Sequence, residues 1–131
     1  MDMNYVAGYF DGEGFIGLYW NKGSKDVRYR SGRRGGCWIR AVGINNTYYN
    51  VLYDLREEFG GSLRTLREKQ GTHKKIYSWT LGSMDGIQAF LDALLPWLRE
   101  KRPQAETMLA CLRGEVTYED AQRILKDLKH V

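Results

Sequence analysis

The chain has 131 residues, of which 43% are hydrophobic, and its 20 Lys and Arg against 16 Asp and Glu leave a net charge of +4. That length supports a single domain, 1–131, with a modest core, and no stretch is apolar and long enough for a membrane span or a secretory signal, so an intracellular protein is expected. Cys37 and Cys111 form no C-x-x-C pair and His73 stands far from His130, which argues against a zinc site or a disulfide framework and leaves packing or free thiols and a solvated His73.

The charge is segregated. Residues 22–40 carry Lys22, Lys25, Arg28, Arg30, Arg33, Arg34 and Arg40 against Asp26, and residues 61–76 carry Arg64, Arg67, Lys69, Lys74 and Lys75 against Glu68. These windows hold +6 and +4, so the remainder of a chain totalling +4 is at −6. Two basic patches on an acidic body point to a polyanionic partner, most simply nucleic acid.

In chain order, Met3, Tyr5 and Val6 open an apolar, helix-like run that ends at Asp11-Gly12-Glu13-Gly14. Gly8 and Gly12 lie one turn apart, where missing side chains let another helix approach. Gly12 and Gly14 are expected to permit a φ > 0 turn that stops the helix. Its last carbonyls, beside the Glu13 carboxylate, are hard oxygen ligands suited to a cation such as Mg²⁺. Phe15–Trp20 and Cys37–Ile44 read as strands, joined by the Gly-, Ser- and Arg-rich stretch 22–36. Tyr49, Leu52, Tyr53, Leu55 and Phe59 take helical spacing, and Gly60-Gly61 ends that helix.

Ser62–Glu68 and Lys75–Leu81 read as a second strand pair joined through Gln70-Gly71-Thr72. Ser83 can cap a helix through Ile87, Phe90, Leu91, Leu94 and Leu95. Pro96 and Pro103 bracket Trp97–Arg102, with Pro103 placed to open a helix through Met108, Leu109 and Leu112. Thr117 and Asp120 form a capping-box pattern before a helix carrying Ala121, Ile124, Leu125 and Leu128. The order α-β-β-α-β-β followed by helices predicts an α+β fold with one antiparallel sheet and helices on one of its faces. With Leu18, Trp20, Trp79 and Leu81 in the core, alternation sends Tyr19, Asn21, Ser78 and Thr80 to the open face. Arg40 shares phase with Val42 and Ile44, so either a bulge resets its strand or Arg40 lies past the edge of the core. The other aromatic residues are expected in the core.

The string Val6-Ala7-Gly8-Tyr9-Phe10-Asp11-Gly12-Glu13-Gly14 resembles, position for position, the signature of the LAGLIDADG homing endonucleases. A second block, Leu94-Leu95-Pro96-Trp97-Leu98-Arg99-Glu100-Lys101-Arg102-Pro103-Gln104-Ala105, is similar to that family's L-x-P-x-L-x-x-K-x-x-Q-A pattern. Val42-Gly43-Ile44-Asn45-Asn46-Thr47 and the following helix look like its second-strand exit. The resemblance implies a saddle-shaped antiparallel sheet seated in the major groove of DNA and covered by helices behind. Glu13 is implied as the metal-holding acid, together with the Gly12 carbonyl, and Lys101 as the active-site lysine. Asn46 would order solvent where the family usually carries Gln, and the shorter amide is a departure from the pattern. Asp11 joins this catalytic group, its place at the helix junction fitting a carboxylate that satisfies backbone donors.

One signature supplies one primary carboxylate, and a duplex has two strands. A homodimer crossing at Ala7, Gly8, Asp11 and Gly12 brings two Glu13 groups together. Paired carboxylates repel until a cation binds, so activity should require Mg²⁺, or Mn²⁺ or Ca²⁺ in the bound state, and fall in acid. The implied activity is hydrolysis of both strands of a long, nearly palindromic DNA site, leaving 3′ overhangs. Base and phosphate contacts are expected from Tyr19, Asn21, Lys25, Arg28, Arg30, Arg33, Arg34, Arg40, Arg64, Arg67, Lys74, Lys75, Ser78 and Thr80. The alternative is an RNA-splicing maturase or a DNA-binding regulator that keeps the scaffold without cutting. Both Glu13 and Lys101 being present favours the enzyme.

Overall fold

The computed structural model describes residues 1–22 and 36–129. Lys25, Arg28, Arg30, Arg33 and Arg34, expected at the DNA surface, lie outside the described residues. Helix α1 (Met3–Glu13) is capped by Asp2, whose carboxylate accepts the Asn4 amide at 2.9 Å. It runs directly into strand β1 (Gly14–Asn21), and strand β2 (Cys37–Asn46) pairs back against it. Helix α2 (Tyr49–Phe59) is followed by strands β3 (Ser62–Arg67) and β4 (Ile76–Leu81). The helices α3 (Met84–Leu94), α4 (Arg102–Leu112) and α5 (Tyr118–Lys129) complete the chain, with a 3₁₀ turn Leu95–Trp97 between α3 and α4.

The four strands form one antiparallel sheet in the order β1-β2-β4-β3, so β2 and β4 are central. Among the described residues, five α-helices accompany it, and the α+β fold expected from the sequence is the one observed. The core between sheet and helices centres on Phe90 of α3. Its ring meets Phe10 of α1, Phe59 of α2 and Trp79 of β4 edge-on, with centroids 5.3, 4.9 and 5.0 Å away. Edge-to-face geometry suits the aromatic quadrupole, so one side chain ties three elements together. Trp79, fully buried, donates its indole N–H to the Gly60 carbonyl at 2.8 Å. No described helix is long and apolar enough to cross a membrane.

Two expected features of α1 are corrected. Neither Gly12 nor Gly14 has a positive φ: Gly12 is helical, and Gly14 sits at φ −81° and ψ 167°, where the helix passes straight into an extended strand. Gly14 is required by space instead, because a Cβ there would fall 2.3 Å from the Phe10 ring. Tyr5 is 53% exposed and leaves the core to Val6, Ala7 and Phe10. At the other edge of the sheet, Trp20, expected in the core, is 45% exposed and meets Trp38 ring edge to face.

The β3–β4 hairpin holds a bulge that period-two reading does not foresee. Arg64 opposes Ser78 and Thr65 opposes Tyr77, yet Arg67 opposes Ile76, so Leu66 is the extra residue. Regular alternation would put Arg67 on the face of Leu63 and Thr65, which looks toward the helices. The bulge returns it to the face of Arg64, away from them.

Candidate functional site

The C-terminal end of α1 gathers the residues singled out from both sequence blocks. Asp11 is half-exposed there, and its carboxylate accepts the Arg99 amide through Oδ2 and the Lys101 amide through Oδ1, both at 2.9 Å. The Lys101 ammonium in turn donates to the Asp11 carbonyl at 2.8 Å. That carbonyl belongs to the last turn of α1, where intrahelical partners run out and the helix dipole favours a cation. Lys101 also stands at the entry to α4, so one lysine links the end of one helix to the start of another. Glu13 is exposed and closes α1, two residues past the carbonyl that Lys101 holds.

Asn46 uses both ends of its amide within the fold. Its Oδ1 accepts the Thr47 and Tyr48 amides at 2.6 and 3.2 Å, closing the turn that leads into α2. Its Nδ2 donates to the Tyr9 hydroxyl at 2.6 Å. Asn46, expected to order solvent, thus has both ends of its amide engaged within the chain, the Nδ2 end on Tyr9. Burial, and then the charge of Glu13, hold the Tyr9 hydroxyl above its ordinary value of 10.0. Tyr9 was missed in the sequence, where it reads as half of an apolar pair, although its i, i+4 spacing to Glu13 carries the signal.

Two stripes of α1 divide the residues expected at a dimer interface. Gly8 and Gly12 are exposed, with no atom within 4 Å of where a Cβ would lie. Ala7 is fully buried in the core, and Asp11 is engaged by the 99–101 backbone of its own chain. Ala7 and Asp11 share a second stripe because they too are one turn apart, so of the four residues the two glycines are exposed, Asp11 is half-exposed and Ala7 is buried. Among the described residues no three His, Cys, Asp or Glu side chains cluster for a metal. One chain therefore offers Glu13 and helix-end carbonyl oxygens, a partial set of the hard donors that Mg²⁺ takes up together with substrate phosphate.

On the open face of the sheet, Tyr19 and Asn21 follow the expected phase, and Arg64 and Arg67 are exposed opposite Ser78 and Ile76. Ser78 shares this face but is only 3% exposed, lying between Asn45 and Arg64 with its hydroxyl 3.3 Å from that of Thr80. Its expected role as a DNA contact is corrected to a buried polar pair. Lys75 stands over the Tyr77 ring and 3.6 Å from Glu68, and Tyr77 packs on Tyr49 of α2, so Lys75 turns to the helix side. Lys74 is exposed.

Arg40 is also corrected. It pairs with Leu18 in regular register, no bulge intervenes, and its guanidinium donates to the Tyr118 hydroxyl of α5 at 3.0 Å. It lies at the edge of the core under α5, with Nε buried and unpartnered and with Trp38 stacked on Tyr118 beside it. Cys111 is buried and Cys37 half-buried, both as free thiols.

No protein-family model matches this sequence, and no curated protein matches it significantly. Solved structures do. The homing endonuclease I-CvuI, solved in complex with its target in the presence of Ca, superposes with a TM-score of 0.66 at 19% identity, over 98% of this chain and 95% of that one. The archaeal intron-encoded homing endonuclease I-Vdi141I, complexed with DNA, gives 0.57 at 14%, over 98% and 97%. I-SmaMI, bound to an uncleaved DNA target in the presence of calcium ions, gives 0.62 at 23%, and this chain spans 42% of its length. The LAGLIDADG meganuclease I-CpaMI gives 0.65 at 16%, over 98% of this chain and 41% of that one. These likenesses bear out, at the level of fold, the resemblance carried by Val6–Gly14.

Proposed function

We propose that this chain, which has the LAGLIDADG homing endonuclease fold, is a sequence-specific DNA endonuclease that works as a homodimer and needs a divalent cation. The observation that carries the reading is that a Lys101 ammonium held by Asp11 stands at the same helix end that Glu13 closes. A binding protein has no physical use for an exposed carboxylate and a positioned cation at the same helix terminus, whereas phosphodiester hydrolysis does. Glu13 and the Gly12 carbonyl would hold the cation. A divalent ion there neutralises charge that develops on the attacked phosphate.

The residues of the chain supply the rest. Lys101 places positive charge beside the reacting phosphate. Arg64 and Arg67, brought to one face by the bulge at Leu66, hold the backbone of the duplex, and Tyr19, Asn21 and Thr80 meet its groove. The open stripe of Gly8 and Gly12 lets the α1 helices of two copies approach closely, so that each copy brings one Glu13 to one strand.

Cleavage of a randomised duplex library by the wild-type protein and by Glu13→Gln, with Mg²⁺ or Mn²⁺ and with chelator, tests the reading. The wild type should cut both strands of a nearly palindromic site, leaving 3′ overhangs, only with cation, and the variant should bind without cutting. Binding by the wild type with no cleavage under any cation would assign the chain to the non-cleaving regulators or to the splicing maturases.

A further inference from the structure

We infer that Arg102 is a positioning residue for Lys101, clamping the carbonyl groups of the segment whose amides Asp11 holds. The inference rests on the reading of Lys101 as the cation beside the reacting phosphate. Lys101 is the N-cap residue of α4 but makes no side-chain cap bond, and a cation at that end opposes the helix dipole. Its side chain therefore does nothing for the helix it opens, and its place has to be set by neighbouring groups.

Between the 3₁₀ turn and α4 the chain is neither helix nor strand. Leu98 is extended there, at φ −71° and ψ 143°, with its side chain buried in the core. On one side of this segment Asp11 accepts the amides of Arg99 and Lys101. On the other, the Arg102 guanidinium donates through Nε to the Leu98 carbonyl at 3.1 Å and through Nη2 to the Pro96 carbonyl at 3.2 Å. A carboxylate thus takes the donors of the segment and a guanidinium its acceptors, and the planar fork fixes the direction of both carbonyls at once. The bonds from Asp11 tie residues 99 and 101 to α1, and those from Arg102 tie residues 96 and 98 to the start of α4. Without Arg102 the segment keeps only its Asp11 anchors, and the ammonium, on a flexible stem, shifts relative to Glu13. Misplacing a reacting group by about 1 Å costs about 100-fold in rate.

Two variants test this. Arg102→Met removes the clamp, and Arg102→Lys keeps the charge without the fork. The ¹³Cε signal of Lys101 in lysine-labelled, cation-free protein, assigned by its loss in Lys101→Met, should move toward the signals of exposed lysines in Arg102→Met and less far in Arg102→Lys. Single-turnover cleavage should fall about tenfold in Arg102→Met and less in Arg102→Lys, with DNA affinity and its salt dependence unchanged. Where urea denaturation shows Arg102→Met unfolded, Arg102→Lys carries the same test. A Lys101 signal that stays in place overturns the inference, as does a moved signal with full cleavage rate. A slope of log affinity against log salt reduced by about 1 in Arg102→Met also overturns it, and makes Arg102 a phosphate contact. A moved signal in a protein whose wild type cuts no duplex leaves the clamp on Lys101 standing and removes the nuclease reading instead.

Discussion

Asp11 and Lys101 grip each other from both directions: the Asp11 carboxylate accepts the Lys101 amide at 2.9 Å, and the Asp11 carbonyl accepts the Lys101 ammonium at 2.8 Å. The two sequence blocks, 90 residues apart, are joined by this exchange, and the position of the ammonium depends on a carboxylate that need not touch substrate. Asp11→Ala should therefore lower cleavage through Lys101 and also lower stability. Two charge-assisted bonds to backbone amides are lost, which predicts a destabilisation of about 2 kcal/mol in urea denaturation. Asp11→Asn keeps one acceptor oxygen and should fall between.

Lys101→Met separates charge from scaffold. Asp11 still accepts the amide of residue 101, so the fold should unfold within about 1 kcal/mol of wild type. Cleavage should drop about 100-fold or more, since the charge beside the phosphate is gone. Single-turnover kinetics and denaturation on the same preparation separate the two effects.

Arg64 and Arg67 should each contribute one phosphate contact, whereas Arg40 should contribute none. Substituting Arg64 or Arg67 by Ala is expected to reduce the slope of log affinity against log salt by about 1. Arg40→Met should leave that slope unchanged and alter stability instead, because it removes the partner of the Tyr118 hydroxyl under α5. Filter binding of duplex DNA across a salt series reads all three.

The alkaline limb of stability should carry the signature of Tyr9. Its hydroxyl ionises at higher pH in the folded chain than in the unfolded one, through burial first and the charge of Glu13 second. The unfolded state thus releases this proton sooner, and stability present below pH 10 is lost as pH rises beyond it. Tyr9→Phe removes that contribution, so the difference between variant and wild type in guanidinium denaturation should shrink or turn in favour of the variant from pH 9 to pH 11.

Gly8→Ala distinguishes a helix surface from an interface. In a single chain the added Cβ meets nothing within 4 Å, and exchanging Gly for Ala in a helix stabilises by about 0.5–1 kcal/mol. If the glycine stripe is where two copies meet, sedimentation should show weaker self-association together with this gain in the monomer.

Particular residues show where sequence reasoning reached and where it stopped. The order of elements follows from hydrophobic periodicity and from Ser83 and Thr117 as caps, whose side-chain oxygens accept the Gly86 and Asp120 amides at 3.1 Å. The phase of Arg40 was legible, but its destination was not, because what covers it is Tyr118 from another helix. Leu66 gives no sign of a bulge: alternation through Leu63 and Thr65 continues smoothly, and only pairing with β4 reveals the extra residue. Gly14 was legible as a constrained position, yet the constraint is the Phe10 ring rather than φ. For Asn46 the residue type suggested a site role, while the turn at Thr47 and Tyr48 consumes its oxygen.

Whether two copies each contribute one Glu13 to one strand is read out by cleavage with mixed subunits. Wild-type and Glu13→Gln chains, mixed in equal amounts and given a duplex selected from the library with Mg²⁺, should yield nicked duplex as a product that neither chain gives alone. Double-strand cutting in proportion to the wild-type fraction, with no nicked product, would contradict it.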